Sequence, residues 1–177
     1  MEAADEELML AYRAGDAAAF DTLYRRHRAP LYRFVLRSVK SRALGEELFQ
    51  EIWMRVIEAR SRYVPQAKFT TWLYTIAHNH LVDHWRKRGL TLVALEEDDP
   101  QGTAPDPADQ AAARESLMRF AAALEALPPL QREAFLLHEE GGLTVAEIAA
   151  ATATHEETAK SRLRYAMAKL KAAIDDA

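Results

Sequence analysis

Apolar residues recur at every third or fourth position along most of this chain, and that spacing limits its possible folds more than any other feature. A period near 3.6 places such residues on one stripe of an α-helix, whereas a half-buried strand needs strict alternation, which is not seen. We therefore predict an all-α protein. In the N-terminal half, the recurring positions include Leu23, Leu31, Phe34, Val35, Leu48, Ile52, Val56, Ile57, Leu73, Ile76 and Ala77.

Capping and helix-breaking residues divide this pattern into separate helices. The predicted N-terminal helices span residues 6–14, 16–39, 44–60 and 70–88, with Asp16 as the N-cap of the second. Pro30 predicts a kink or break within that helix because proline lacks the backbone donor. The predicted C-terminal helices span residues 109–127, 130–139, 145–151 and 156–174.

Residues 90–110 interrupt the helical pattern. They contain an acidic, Pro-bearing and Gly-bearing run from Glu96 to Gly102, followed by Pro105 and Pro107. Because this segment has little apolar surface to bury, it predicts a flexible acidic linker. The chain should therefore consist of an N-terminal domain, residues 1–89, and a C-terminal domain, residues 111–177.

Composition narrows the function. The chain has no cysteine, which excludes disulfides, thiolate zinc sites and cysteine nucleophiles. We find neither a signal peptide nor an apolar stretch that could span a bilayer, so we expect a cytoplasmic protein without membrane contact. The net charge is −4, yet cations cluster in two places that could each contact phosphates: Arg86, Lys87 and Arg88, and then Lys160, Arg162, Arg164, Lys169 and Lys171.

Residues 143–170 have the outline of a helix-turn-helix. A short helix and a tight turn precede a longer helix with polar and basic residues, which in such motifs enters the major groove. Thr158 should face the turn, and a solvated amphipathic helix remains an alternative. The candidate readout residues on one side of the longer helix are Lys160, Ser161, Arg164 and Tyr165.

Two further features lie in the N-terminal half. An acidic and polar stripe, Glu47, Gln50, Glu51 and Met54, lies opposite an apolar face that includes Leu48. Such a stripe is usually only a solvated face. Residues 63–68 form an aromatic loop before a helix with Asn79 and the basic run 86–88, an arrangement that can hold single-stranded DNA by stacking and charge.

Several ordered motifs resemble the extracytoplasmic-function sigma factors, group 4 of the sigma-70 family. The resemblance covers nearly the whole chain outside the linker. The motifs are Glu47-Leu48-Phe49-Gln50-Glu51, Phe69-Thr70-Thr71-Trp72-Leu73-Tyr74-Thr75-Ile76-Ala77 with Asn79, Leu127-Pro128, and Thr158-Ala159-Lys160-Ser161-Arg162-Leu163. This resemblance implies a sigma-2 helical bundle and a sigma-4 helix-turn-helix domain joined by the linker.

The resemblance also implies roles for residues, partners and regulation. The polymerase-binding residues, which would dock on the clamp helices of the largest subunit of core RNA polymerase, are Glu47, Leu48, Gln50, Glu51 and Met54. The residues expected to capture an extruded base of the minus-ten promoter element, and to hold nearby phosphates, are Tyr63, Val64, Pro65, Gln66, Ala67, Lys68, Asn79, Arg86, Lys87 and Arg88. Those expected to read the double-stranded minus-thirty-five element are Thr158, Lys160, Ser161, Arg164 and Tyr165.

The family is non-enzymatic, so the resemblance implies no catalytic residue, metal or cofactor. It implies regulation by an anti-sigma factor, released by a stress or envelope signal. Residues 63–68, hereafter the base-capture loop, depart from the family at their start, because Tyr63-Val64-Pro65 replaces the common Phe-Arg-Gly. Ala153 replaces the usual glycine of the helix-turn-helix turn, which predicts a rearranged turn because positive φ is costly outside glycine.

Other interpretations remain open from the sequence. His80 and His84 share a helical face, as zinc ligands would, but His78 does not, and phosphate contact or packing explains them as well. Trp53 and Trp72 are expected in the core, whereas Trp85 could pack or stack on a base. An autonomous helix-turn-helix regulator, or an adaptor that mimics a sigma factor, is the alternative function.

Overall fold

Every regular element in the described part of the chain is helical, as predicted. The computed structural model describes residues 2–89 and 109–175, and only the backbone of residues 109–112. The all-α prediction is confirmed over these ranges. The helices are α1 (Asp5–Arg13), α2 (Ala17–Ser38), α3 (Arg42–Ala59), a short 3-10 helix (Arg60–Arg62), α4 (Phe69–Lys87), α5 (Asp109–Ala126), α6 (Pro129–Glu139), α7 (Val145–Thr152) and α8 (Glu156–Asp175).

The second helix begins where its cap was predicted but continues past its proline. Asp16 accepts hydrogen bonds from the backbone N–H groups of Ala18 and Ala19, at 2.9 and 3.3 Å. Helix α2 then runs unbroken through Pro30, so a break there is excluded. Leu23 before the proline and Phe34 after it are both buried, and this packing holds the two halves in one helix despite the lost backbone bond.

The N-terminal bundle, α1 to α4, buries the apolar stripes expected from the sequence. Helices α2 and α3 approach closely at Gly45, where an added Cβ would lie 2.5 Å from Leu36 Cδ2. Trp53 is in the core as predicted, and Trp72 is half-buried. Trp85 is only 3% exposed, so base stacking by this residue is excluded and packing is its role.

The C-terminal bundle, α5 to α8, contains the predicted helix-turn-helix in α7 and α8. Thr144 and Glu147 form a capping box at the start of α7, with the Thr144 N–H donating to the Glu147 carboxylate at 2.8 Å. Ala153 closes the turn with φ 52° and ψ 45°, the left-handed conformation that glycine usually supplies. The predicted rearrangement of this turn is therefore wrong: alanine adopts the glycine conformation.

Most of the predicted flexible linker lies outside the described residues. Its last two positions, 109 and 110, belong to α5, which begins where the fifth helix was predicted to begin. Among residues 2–89 and 109–175, we find no helix long and apolar enough to cross a membrane.

The two bundles pack directly on each other, α4 against α7 and α2 against α6. Tyr74 of α4 is fully buried, and its ring lies so close to Gly141 that a Cβ there would be 3.1 Å from Tyr74 Cε2. Burial, followed by the Glu140 carboxylate, raises the pKa of Tyr74. Arg33 Nε donates to Glu140 at 2.7 Å, and Arg37 pairs with the same carboxylate.

A buried hydrogen-bonded pair completes this interface between the bundles. His78 Nδ1 of α4 lies 2.7 Å from Glu133 Oε1 of α6, and the Glu133 side chain is 1% exposed. A carboxylate so far from water needs a partner, and the partner here comes from the other bundle.

Candidate nucleic-acid and protein interfaces

The acidic stripe of α3 is exposed, but one of the five predicted polymerase-binding residues is not. Glu47, Gln50, Glu51 and Met54 all reach the surface, and Met54 is 56% exposed. Leu48 is only 3% exposed and belongs to the core. The expectation that Leu48 contacts a partner is therefore wrong, because its position on α3 points into the bundle.

One member of the stripe is already engaged. Glu51 Oε2 lies 2.5 Å from His80 Nε2 of α4, which ties the exposed stripe to the helix that follows the base-capture loop. His80 Nδ1 is buried and has no hydrogen-bond partner among the described residues. This link between α3 and α4 was not predicted.

The three histidines of α4 act separately and do not converge on one point. His78 pairs with Glu133, whereas His80 pairs with Glu51. Burial, followed by the nearby Arg88 and His80, lowers the pKa of His84. The part of the chain described by the structure contains no group of three side chains suited to hold a metal ion, so these contacts favour packing over the metal-site interpretation.

The base-capture loop exposes all its residues but the first. Tyr63 is 1% exposed, and its ring packs edge-on against Trp72 with centroids 5.0 Å apart. Burial raises the pKa of Tyr63, and its buried hydroxyl has no partner among the described residues. Tyr63 therefore supports the loop from within, and the expectation that its side chain contacts DNA is wrong for this conformation. The exposed loop residues are Val64, Pro65, Gln66, Ala67 and Lys68.

Helix α1 contacts the chain at both ends of this loop. Arg13 Nη1 donates to the Tyr63 carbonyl at 2.7 Å, and Glu6 Oε1 accepts from the Phe69 N–H at 2.6 Å. These two residues were missed by sequence reasoning. Their spacing of seven places them on one helix face, but nothing in the sequence indicates what that face meets.

Helix α4 continues from the loop with an exposed polar face. Asn79 is exposed, and it is ten residues beyond Phe69, about 15 Å along the helix axis. Arg86 follows Asn79 by seven residues and so lies on the same face. Arg86, Lys87 and Arg88 are all exposed at the C-terminal end of α4, where cations also suit the helix dipole.

The second candidate DNA surface is the outer face of α8. Lys160 and Arg164 are exposed, and the Arg164 guanidinium lies over the Tyr165 ring, 5.4 Å from its centroid. Tyr165 is exposed, whereas Thr158 and Ser161 are half-buried. Lys160 Nζ is 3.9 Å from Glu157 Oε1, a distance that leaves it free to meet a phosphate.

A salt bridge joins the base-capture loop to the helix-turn-helix. Lys68 Nζ at the end of the base-capture loop lies 2.8 Å from Glu147 Oε1 of α7. The hydrogen bond from Lys68, aided by the Thr144 N–H, lowers the pKa of Glu147, and the same bond raises the pKa of Lys68. The loop and the first helix of the helix-turn-helix are therefore in contact.

Comparisons with known proteins agree with this arrangement. Residues 23–91 match the family model of sigma-70 region 2, and residues 117–170 match that of sigma-70 region 4. The chain is 35% identical over 163 residues to RNA polymerase sigma factor CarQ of Myxococcus xanthus, covering 90% of this chain and 91% of CarQ. It is 30% identical over 167 residues to ECF RNA polymerase sigma factor SigK of Mycobacterium tuberculosis, covering 90% and 88% of the two chains.

Two solved structures share the fold. One is CnrH in complex with the cytosolic domain of CnrY, with a TM-score of 0.72, 24% identity and 98% of each chain covered. The other is the sigma factor RpoE of Bartonella quintana in complex with the anti-sigma factor NepR, with a TM-score of 0.68, 24% identity, and 88% of this chain and 96% of that chain covered. The family models and the sequence relatives show that this chain belongs to the extracytoplasmic-function family of RNA polymerase sigma factors, non-enzymatic proteins that direct core polymerase to promoters.

Proposed function

We propose that this sigma factor divides its work among three surfaces: the α3 stripe binds core polymerase, the base-capture loop with α4 engages the minus-ten element, and α8 reads the minus-thirty-five element. The observation that carries the proposal is that each of these surfaces is exposed and polar or charged, on a chain that matches both region 2 and region 4.

The polymerase surface consists of Glu47, Gln50, Glu51 and Met54. An exposed methionine within an acidic and polar stripe combines an apolar anchor with charge, and this combination suits a partner surface that carries basic residues. The clamp helices of the largest polymerase subunit are the partner that the family resemblance implies. Leu48 supports the stripe from the core instead of touching the partner.

The minus-ten surface consists of loop residues 64–68 together with Asn79. Their side chains are exposed and are the proposed contacts of an extruded base, while the buried Tyr63 supports the start of the loop from within. Unstacking a base costs a few kcal/mol, which contacts in the pocket offset. Arg86, Lys87 and Arg88 at the far end of α4 would hold phosphates of the same strand.

The minus-thirty-five surface is the exposed side of α8. Lys160 and Arg164 supply the charges that meet phosphate or guanine, and Arg164 is oriented by the ring of Tyr165. Ser161 and Thr158 are half-buried beside them and offer hydroxyl groups. Such a helix enters the major groove of duplex DNA.

We also propose that an anti-sigma factor holds this chain inactive in the cytoplasm, where polymerase and promoters are found, until a stress or envelope signal arrives. RpoE of Bartonella quintana, which has the same fold, was solved with the anti-sigma factor NepR. Native protein purified from unstressed cells should contain a small second protein in a 1:1 ratio. Isolation with polymerase alone from such cells would contradict this part of the proposal.

The first experiment is run-off transcription from a pool of bacterial promoter fragments, with purified core polymerase in the presence and absence of this protein. We expect transcripts that start downstream of a new shared motif only when the protein is present. If the protein gives no such transcripts but binds duplex DNA tightly by itself, the promoter-directing role proposed for these surfaces is wrong.

A second experiment separates polymerase binding from DNA reading. Glu51→Arg should weaken polymerase binding, and Glu47→Arg is the cleaner variant because Glu51 also bonds His80. Lys160→Ala and Arg164→Ala should leave assembly intact but weaken promoter binding by about 1–3 kcal/mol per lost base contact. Arg114→Ala, which removes an exposed cation on α5 outside all three proposed surfaces, is the matched control. An equal loss of assembly in all these variants would refute the division of labour.

A further inference from the structure

Helix α1 holds the base-capture loop at both ends. Arg13 in its last turn bonds the carbonyl oxygen of Tyr63, where the loop begins, at 2.7 Å. Glu6 in its first turn bonds the backbone N–H of Phe69, immediately after the loop ends, at 2.6 Å. The two side chains are two helical turns apart on one face, so a single rigid element spans the loop.

The bond from Glu6 supplies what the loop itself lacks. Lys68 is the N-cap residue of α4 and provides no side-chain cap, so the first N–H groups of that helix need another acceptor. The Glu6 carboxylate is such an acceptor, and its negative charge also suits the positive end of the helix dipole. Removing it would release the point at which the loop joins α4.

Helix α1 is itself firmly fixed to the rest of the bundle. Asp5 accepts from Arg26 Nη1 at 2.8 Å, and its other oxygen lies 2.7 Å from His27 Nε2, both on α2. Met9 is fully buried and Tyr12 nearly so. Arg60, just before the loop, donates to the Tyr12 hydroxyl at 3.3 Å. An element anchored in this way can impose a conformation on the loop that it contacts.

We propose that Glu6 and Arg13 are positioning residues for promoter melting, which hold the base-capture loop in the shape that receives the extruded minus-ten base. This inference rests on the proposed function of that loop. The region 2 match begins at residue 23, so both residues lie outside the segment that identifies the domain. A loop already ordered before the base arrives does not lose its conformational freedom on binding, so more of the contact energy remains to offset unstacking.

The test compares opening with assembly in the full chain bound to core polymerase. The variants are Glu6→Ala and Arg13→Ala, with Glu6→Gln and Arg13→Lys as conservative rescues that keep an acceptor and a cation. Promoter opening is followed by 2-aminopurine fluorescence at the minus-ten element of a promoter recovered by run-off transcription. We expect each alanine variant to lower the extent of promoter opening about tenfold, which corresponds to about 1.4 kcal/mol. Its affinities for polymerase and for minus-thirty-five duplex DNA should stay within about twofold of the wild-type values, the range expected for distant sites.

Two matched controls isolate the loop contacts from general effects on the fold. Glu7→Ala removes a neighbouring carboxylate of α1 that bonds only the Ala4 N–H in the described structure, and Arg25→Ala removes an exposed arginine that pairs with Asp21 on its own helix. Both should open the promoter normally. If both alanine variants open the promoter as the wild type does, α1 does not influence opening and the proposal is wrong. If polymerase affinity and promoter opening fall in parallel, α1 has only a structural role and the proposal is also wrong. Failure of the wild-type protein to direct any transcript would instead overturn the proposed function.

A further readout reports on the pocket itself. A loosened loop should discriminate less between bases at the captured position, because the pocket no longer has one shape. We therefore expect the preference for the best base over the other three to narrow in Glu6→Ala and Arg13→Ala and to return in Glu6→Gln and Arg13→Lys. Unchanged base preference in both alanine variants would count against a positioning role.

Discussion

Breaking the buried pair between His78 and Glu133 should separate the two bundles. His78→Leu leaves the Glu133 carboxylate, 1% exposed, without its partner in the closed arrangement. Removing one member of a buried hydrogen-bonded pair costs about 1–3 kcal/mol, whereas replacing both members by apolar residues is close to neutral. In the separated arrangement Glu133 is exposed to water, so this cost falls on the closed state alone. The single variant should therefore shift the equilibrium towards separation by a factor of roughly 5–150, and His78→Leu with Glu133→Leu should largely reverse the shift.

Single-molecule energy transfer can measure this equilibrium directly. The chain has no cysteine, so Lys40→Cys and Lys171→Cys give two specific dye positions, one on each bundle. The single His78→Leu variant should show long-lived low-transfer states, and the double variant should recover the closed distance. Because minus-ten and minus-thirty-five elements lie about 85 Å apart along B-DNA at 3.4 Å per base pair, the bundles must separate to engage both. Equal dwell times in wild-type and single-variant protein would refute the reasoning.

Three smaller changes test individual features. Ala153→Gly should stabilise the protein by about 1 kcal/mol, because glycine adopts the left-handed turn conformation without strain; a lower midpoint in urea would contradict this. The pKa of Glu147 is lowered in the folded protein, so its salt bridge with Lys68 contributes its full stabilisation at any pH above 4.5, the ordinary pKa of a glutamate. This stabilisation is lost as the pH falls through the lowered pKa. Glu147→Gln keeps the acceptor for the helix cap but removes the charge. The difference in melting temperature between wild type and this variant should therefore decrease as the pH is lowered, and an increase would contradict the prediction. Tyr63→Phe removes a buried hydroxyl with no partner in the described structure. The free energy of unfolding, measured by thermal melting, should therefore stay the same or rise by up to about 1 kcal/mol.

The helices were predictable because their signals are local. Asp16 caps α2 from two and three residues away, and the capping box of α7 joins Thr144 to Glu147 within one turn. The core likewise follows from spacing, since a helical period fixes which side chains share a face. A break at Pro30 did not occur because proline costs only the local bond, while the neighbouring packing that outweighs it involves other helices.

The missed features of the candidate site all depend on residues far apart in sequence. Arg13 and Tyr63 are fifty positions apart, and Glu6 and Phe69 are sixty-three apart. No pattern within one helix reveals such a pair. Leu48 was misassigned for a related reason: it lies within the polar motif in sequence, but one residue is a rotation of about 100° on the helix, enough to turn it into the core.

The way in which α1 meets the loop has a consequence for how promoter preference can change. Both bonds, at the Tyr63 carbonyl and at the Phe69 N–H, are made to main-chain atoms, which every non-proline residue possesses. These two bonds therefore do not depend on which side chains occupy positions 64–68. New residues can be exchanged into that stretch while its framework is retained. Under the proposed role of the loop, a library of sequences at positions 64–68 should therefore yield variants with altered minus-ten preference.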